Sequence, residues 1–96
     1  MHRQTLTLEP NTEGKLVAYR GIAIIHNSIS NGNAIINING QIGTSVQLTV
    51  MSNSSGSISF DESGEYIQID IEKAREMKIV NKSQKTIIMY YLSIGY

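Results

Sequence analysis

Two histidines, His2 and His26, are the first residues to consider for acid–base or metal chemistry, and only His26 lies in a strand-like segment. A metal site inside a β-barrel draws on two closely spaced His, a Glu and a distant third His, and two histidines cannot supply that set. A Ser-His-Asp arrangement needs a base oriented by a carboxylate, and no Gly-x-Ser-x-Gly elbow presents a nucleophile. His26 therefore reads as a polar residue at a strand end. Asp61, Glu62 and Glu65 crowd around Gly64 and could offer carboxylates to Ca²⁺. Their spacing is not that of an EF-hand loop, and Asp-Glu-Ser-Gly is ordinary turn chemistry. Gly40-Gln41-Ile42-Gly43 is too short and too apolar to cradle a phosphate. Lys73, Arg75, Lys78, Lys82 and Lys85 form a mildly basic segment, but Glu72 and Glu76 interleave with it. That mixture favours a solvated face over a nucleic-acid patch. No catalytic, cofactor-binding or metal-ligating residue is assigned, and the chain is read as non-enzymatic.

Five tyrosines, Tyr19, Tyr66, Tyr90, Tyr91 and Tyr96, could stack on sugar rings, although Trp is absent. Tyr66 alternates away from the Ile face of its segment. Core or interface roles explain the tyrosines equally well, so carbohydrate binding stays open as an alternative.

The segments that position these residues are strands. Ile is the commonest residue, and Ile, Val, Thr and Tyr favour extended structure. Leu6 and Leu8 alternate with Thr5 and Thr7, and Pro10-Asn11 ends that strand. Lys15–Tyr19 and Gly21–Ile25 follow, with Gly21 as a bulge or corner in one long bent strand. Asn31-Gly32 is a hairpin signal. Ile36 and Ile38 then share one face, as do Val46, Leu48 and Val50, and as do Ile58 and Phe60. Ile67, Ile69 and Ile71 oppose Tyr66, Gln68 and Asp70 in the clearest amphipathic strand. Glu72–Met77 could form a helical turn. Met77–Val80 and Thr86–Ile94 complete about eight short strands. The 8–12-residue spacing of turn signals is that of a sandwich or barrel, and no fixed-period repeat points to a solenoid. Residues 1–96 are read as one all-β domain, a single jelly-roll-like antiparallel sandwich.

Forty consecutive residues, Gly21–Phe60, contain no Asp, Glu, Lys or Arg. A solvated surface carries roughly 25–35% charged residues, so strands this neutral are expected to meet other protein. Lys+Arg and Asp+Glu balance at 8 each. That balance argues against a nucleic-acid partner and is compatible with self-association. With no Cys, disulfides and thiolate metal sites are excluded. Residues 1–9 lack the apolar core of a secretory signal, and no apolar run reaches the ~18 residues that span a membrane.

The last strand is apolar on both faces: Ile88, Tyr90, Leu92 and Ile94 on one, Ile87, Met89 and Tyr91 on the other. A half-exposed antiparallel strand should alternate. Either this strand is buried on both sides within its own chain, or a neighbouring subunit covers one side. The subunit-contact reading makes Ile87, Met89 and Tyr91 the candidate interface.

Three segments are similar to small single jelly-roll structural proteins of bacteriophages. They are Gly14-Lys-Leu-Val-Ala-Tyr-Arg-Gly-Ile-Ala-Ile24, the pair Ser55-Gly-Ser-Ile-Ser-Phe60 and Glu65-Tyr-Ile-Gln-Ile-Asp-Ile71, and the ending Lys78-Ile-Val-Asn-Lys-Ser83 with Thr86-Ile-Ile-Met-Tyr-Tyr-Leu92. The resemblance implies a virion component of penton, minor capsid or spike-base type. Such a protein is made in the host cytoplasm, needs no cofactor, and assembles with its own copies and other virion proteins.

Overall fold

The computed structural model describes residues 2–39, 47–73 and 75–95, without the side chains of residues 72, 73, 75 and 95. Nine strands form in chain order: β1 (His2–Leu8), β2 (Glu13–Ala18), β3 (Gly21–Asn27), β4 (Asn33–Asn39), β5 (Gln47–Asn53), β6 (Ile58–Ser59), β7 (Ile67–Lys73), β8 (Arg75–Asn81) and β9 (Ile87–Gly95). They build two sheets, ordered β1-β9-β3-β4-β5 and β2-β8-β7-β6. The expected all-β sandwich is present. Every pairing is antiparallel except β6 with β7, which is parallel and two residues long.

The two ends of the chain wrap around both layers together. β1 pairs with β9 in one sheet and β2 pairs with β8 in the other. This is the jelly-roll wrap. The middle departs from it, because β3, β4 and β5 run as a meander within a single sheet. The crossing from β2 to β3 occurs at Tyr19-Arg20, and Gly21 adopts φ 114°, a conformation side chains avoid. Gly21 is thus the corner that carries the chain from one sheet to the other. The Gln4 side chain stitches that side of the sandwich: it donates to the Val17 carbonyl at 2.7 Å and accepts from the Val17 N–H at 2.9 Å.

Alternation decides the core. Leu8, Leu16, Ala18, Ala23, Ile25, Ala34, Ile36, Ile38, Ile58, Ile67, Ile69, Met77 and Ile79 are buried between the layers, with Leu6, Leu48, Phe60 and Ile71 packed against them. The Ile faces expected on β4 and β7 point inward. Val50 is an exception at 42% exposed, because β5 lies at the sheet edge; Val46 lies outside the described residues. The expected helical turn at Glu72–Met77 is not formed. β7 and β8 instead pair as a hairpin, with a register shift between Ile71 and Lys73. So short a segment has little intrinsic helical stability, and the ladder wins.

Strand ends are closed by asparagines. Asn81, fully buried, donates its amide to the carbonyls of Leu8 (3.1 Å), Glu9 (3.1 Å) and Lys85 (2.8 Å). Its Oδ1 accepts from the Ser83 N–H at 3.0 Å and the Ser83 hydroxyl at 2.6 Å. Asn53 repeats the arrangement with Ser55, and Asp61 with Ser63. Asn27 accepts from Ile29 and Ser30 N–H and donates to Ser57 Oγ across the sandwich. These local turns satisfy backbone groups that the ladders leave open.

Candidate functional site

The two outer faces of the sandwich differ in kind. On the four-stranded sheet, Lys15 Nζ meets Glu76 at 2.5 Å and Lys78 Nζ lies 4.0 Å from Glu13. Lys78 also stands opposite Asp70 in register. That face is laced with both signs of charge, as a solvated surface is.

The five-stranded sheet presents the opposite. Register places its outward residues in rows. One row runs Arg3, Leu92, Ile24, Ile35. The next runs Thr5, Tyr90, His26, Asn33. A third runs Ile94, Ile22, Asn37. Ile22, Tyr90 and Ile94 are 41%, 43% and 58% exposed, and Ile24, Ile35, Ile88 and Leu92 are partly exposed. Among the described strand residues of this face, Arg3 is the sole charge. Seven contiguous large apolar side chains, rimmed by Thr, Asn, His and one Arg, have the composition of an interaction surface.

Arg3, Thr5, Ile24, His26, Tyr90 and Leu92 line a shallow depression of about 350 Å³ on this face. His26 Nδ1 lies 3.0 Å from the Gly32 carbonyl, which can only accept, so the ring proton sits on Nδ1. The His26 and Tyr90 rings stack at 6.1 Å between centroids. His26 is thus a polar strand-end residue on the sheet surface, packed on a tyrosine. His2, the other histidine, stacks on Tyr19 at 3.7 Å. Among the described residues no group of three or more His, Asp or Glu side chains is placed to hold a metal.

Ile87, Met89 and Tyr91 require a correction. They face the interior at 0%, 0% and 2% exposed within the isolated chain. A surface already covered by its own sheets cannot also contact another subunit. The strand is apolar on both faces, so alternation could not say which face was inward. β9 lies between β1 and β3 with one side on the core, and its exposed side is Ile88, Tyr90, Leu92 and Ile94. Sequence reasoning had these residues on the page and took the inward face for the outward one. Ile22 and Ile24, beside them on β3, were missed altogether. The signal for them was the run Gly21–Ile25, where Ile occupies both alternating faces.

Tyr91 and Ser93 bring their hydroxyls into the core, where neither finds a hydrogen-bond partner of good geometry. Burial is the main cause holding the Tyr91 phenol above its ordinary value, against an opposing influence from the Tyr19 backbone and Ser93. Asp61, in the acidic turn, is held below its ordinary value chiefly by hydrogen bonds from Ser63 and then Ser59, with Lys82 adding charge. The Lys82 ammonium donates to the carbonyls of Glu62 and Gly64. Side-chain hydroxyls and a lysine therefore already satisfy this turn. Gly40–Gly43 and Tyr96 lie outside the described residues. No helix among the described residues is long and apolar enough to cross a membrane.

No known family model, curated protein or solved structure matches the chain.

Proposed function

We propose that this chain is a non-enzymatic structural protein of a phage virion, a capsid, penton or spike component that assembles as a homo-oligomer. The observation that carries the self-association is the contrast between the two outer faces. One is charged like a solvated surface; the other exposes Ile22, Ile24, Ile35, Ile88, Tyr90, Leu92 and Ile94 with one charge among them. The virion context rests on the resemblance of Gly14–Ile24, of Ser55–Phe60 with Glu65–Ile71, and of Lys78–Ser83 with Thr86–Leu92 to phage jelly-roll proteins.

The mechanism is geometric. A rigid sheet offers flat apolar area, and symmetry-related copies bury it. Zero net charge leaves no long-range repulsion between copies. The polar rim of Arg3, Thr5, His26 and Asn37 fixes orientation more than it adds affinity. Localisation in the particle, after synthesis in the host cytoplasm, belongs to the same reading.

One observation favours a second reading, a carbohydrate- or ligand-binding module. Tyr90 and His26 place ring edges and polar atoms together in the depression beside Arg3, a combination that suits a sugar. Light scattering with and without a glycan panel separates the two. An oligomer at ~10 μM without ligand supports the structural role. A monomer that binds a glycan through Tyr90 replaces it with the second reading.

A further inference from the structure

Among the described residues β5 is hydrogen-bonded on one side only, to β4. Its seven residues, QLTVMSN, include no charge and no proline. Natural sheets protect long edges with Lys, Pro, shortness, cover or bulges. The other three edges use such devices. β6 is two residues long, β2 carries Glu13 and Lys15, and β1 carries Arg3 and is stitched to β2 through Gln4. Among the described residues β5 has one device, a bulge where the register steps between Ile35 and Ile36. The bulge leaves Gln47–Val50 regular and, among the described residues, unpaired on its far side.

Which backbone groups face the open edge follows from the ladder. The Ser54 N–H donates to the Asn33 carbonyl at 2.9 Å, and the Ser28 N–H donates to the Ile88 carbonyl at 3.0 Å. Carried across β9, β3 and β4, both contacts impose the same antiparallel alternation. Asn37 and Asn39 then spend their hydrogen bonds on Thr49 and Gln47. The N–H and C=O of Leu48 and Val50 are left pointing away from β4.

We infer that β5 is a self-pairing edge, which takes the β5 strand of a second copy, antiparallel, about a two-fold axis at Thr49. This register sets Leu48 opposite the second copy's Val50, and by symmetry Val50 opposite its Leu48. Each such pair exchanges two bonds, about four in all. Thr49 meets Thr49 in the close, non-hydrogen-bonded position, and Thr–Thr pairs are favourable across strands. Leu48 and Val50 also line the open side between the sheets with Phe60, Ile69 and Ile71, in a cleft of about 560 Å³ that Glu62 and Asp70 line as well. A second copy is the occupant because the strand is uncharged and self-complementary in this register, so no like charges oppose within the β5–β5 ladder. The joint also continues the apolar outer face into a ten-stranded sheet. The inference rests on the proposed self-association and adds a second contact to it, since edge pairing leaves the outer face free to meet further copies.

Because the chain has no Cys, one introduced thiol reports the contact. Thr49→Cys places two sulfurs across the axis at a Cα separation of about 4.5 Å, within the range of about 4.4–6.8 Å that disulfides span. On mild oxidation at ~10 μM, Thr49→Cys should form a covalent dimer at least tenfold faster than Gln84→Cys, which is exposed on a loop. Thr49→Lys should weaken association at least tenfold by setting like charges face to face. Mixing Thr49→Lys with Thr49→Glu copies should restore it. If Thr49→Cys crosslinks no faster than Gln84→Cys while the unaltered protein is still oligomeric, the edge is wrong and self-association stands. If the unaltered protein is monomeric at ~100 μM, both fall.

Discussion

Met89 and Tyr90 are neighbours in sequence, and replacing each should produce opposite results. Met89 is fully buried against the second sheet. Truncating a buried Met to Ala costs about 2–5 kcal/mol through lost transfer energy and the cavity left behind. At roughly 0.05–0.15 kcal/mol per residue, a chain of this length holds about 5–14 kcal/mol in total, so the loss is a large fraction. At about 4–8 °C per kcal/mol for a domain of this size, Met89→Ala should lower the melting temperature by roughly 10 °C or more. Tyr90 is 43% exposed and touches His26 on the outer face. Tyr90→Lys removes partial packing and puts the ammonium in water, so the folded chain should lose about 0.5 kcal/mol or less. The same change forces a charge into any apolar contact made by that face, where burial without a partner costs several kcal/mol. Thermal circular dichroism and size-exclusion chromatography read the two effects separately. If Met89→Ala kept its melting temperature but lost assembly while Tyr90→Lys did neither, the inward and outward faces of β9 would be reversed and the reasoning refuted.

Asn81→Ala should be among the most destabilising polar substitutions in the chain. It removes the amide's bonds to the Leu8, Glu9 and Lys85 carbonyls and leaves the buried Ser83 N–H without its Oδ1 acceptor, at about 1–3 kcal/mol for a buried group left unsatisfied; a chemical denaturation midpoint unchanged from the unaltered protein would contradict this. Asp61 is depressed by its Ser63 and Ser59 hydrogen bonds. A depressed carboxyl contributes stability above its ordinary value, and loses it as pH falls through the lower, folded value. The Ser63 amide resonance should therefore hold its position through the ordinary Asp range and move only below it; a shift centred at or above 3.8, the ordinary value, would refute the hydrogen-bonded turn.

Much of the sandwich was legible because strand period and turn chemistry agree. Ile36 and Ile38 on β4, and Ile67 and Ile69 on β7, alternate with polar neighbours, so one face had to go inward. Gly21 announced a corner because no other residue tolerates its backbone as easily. The hairpin from Lys73 to Glu76 was hidden, because Glu, Lys, Ala and Arg are good helix formers and local propensity cannot see the strand waiting across the turn. The candidate surface was half legible. The forty-residue uncharged run pointed to β3, β4 and β5 as strands that meet protein. Which face of β9 points outward was not readable, since Ile88, Tyr90, Leu92 and Ile94 are as apolar as Ile87, Met89 and Tyr91. Only the register beside β1 and β3 separates them. The open edge of β5 was equally invisible, because edge status depends on strand order and not on the strand's own residues.

Sedimentation of the unaltered protein beside Ile24→Lys is the most direct test of the assembly reading. Ile24 lies at the centre of the outer face between Leu92 and Ile35. The account predicts a defined oligomer of the unaltered chain between ~1 and 100 μM and, for Ile24→Lys, a folded species no larger than the β5-paired dimer, with the same circular dichroism spectrum. A monomer for both at 100 μM, or an oligomer equally stable in both, would contradict the claim that this face is where copies meet.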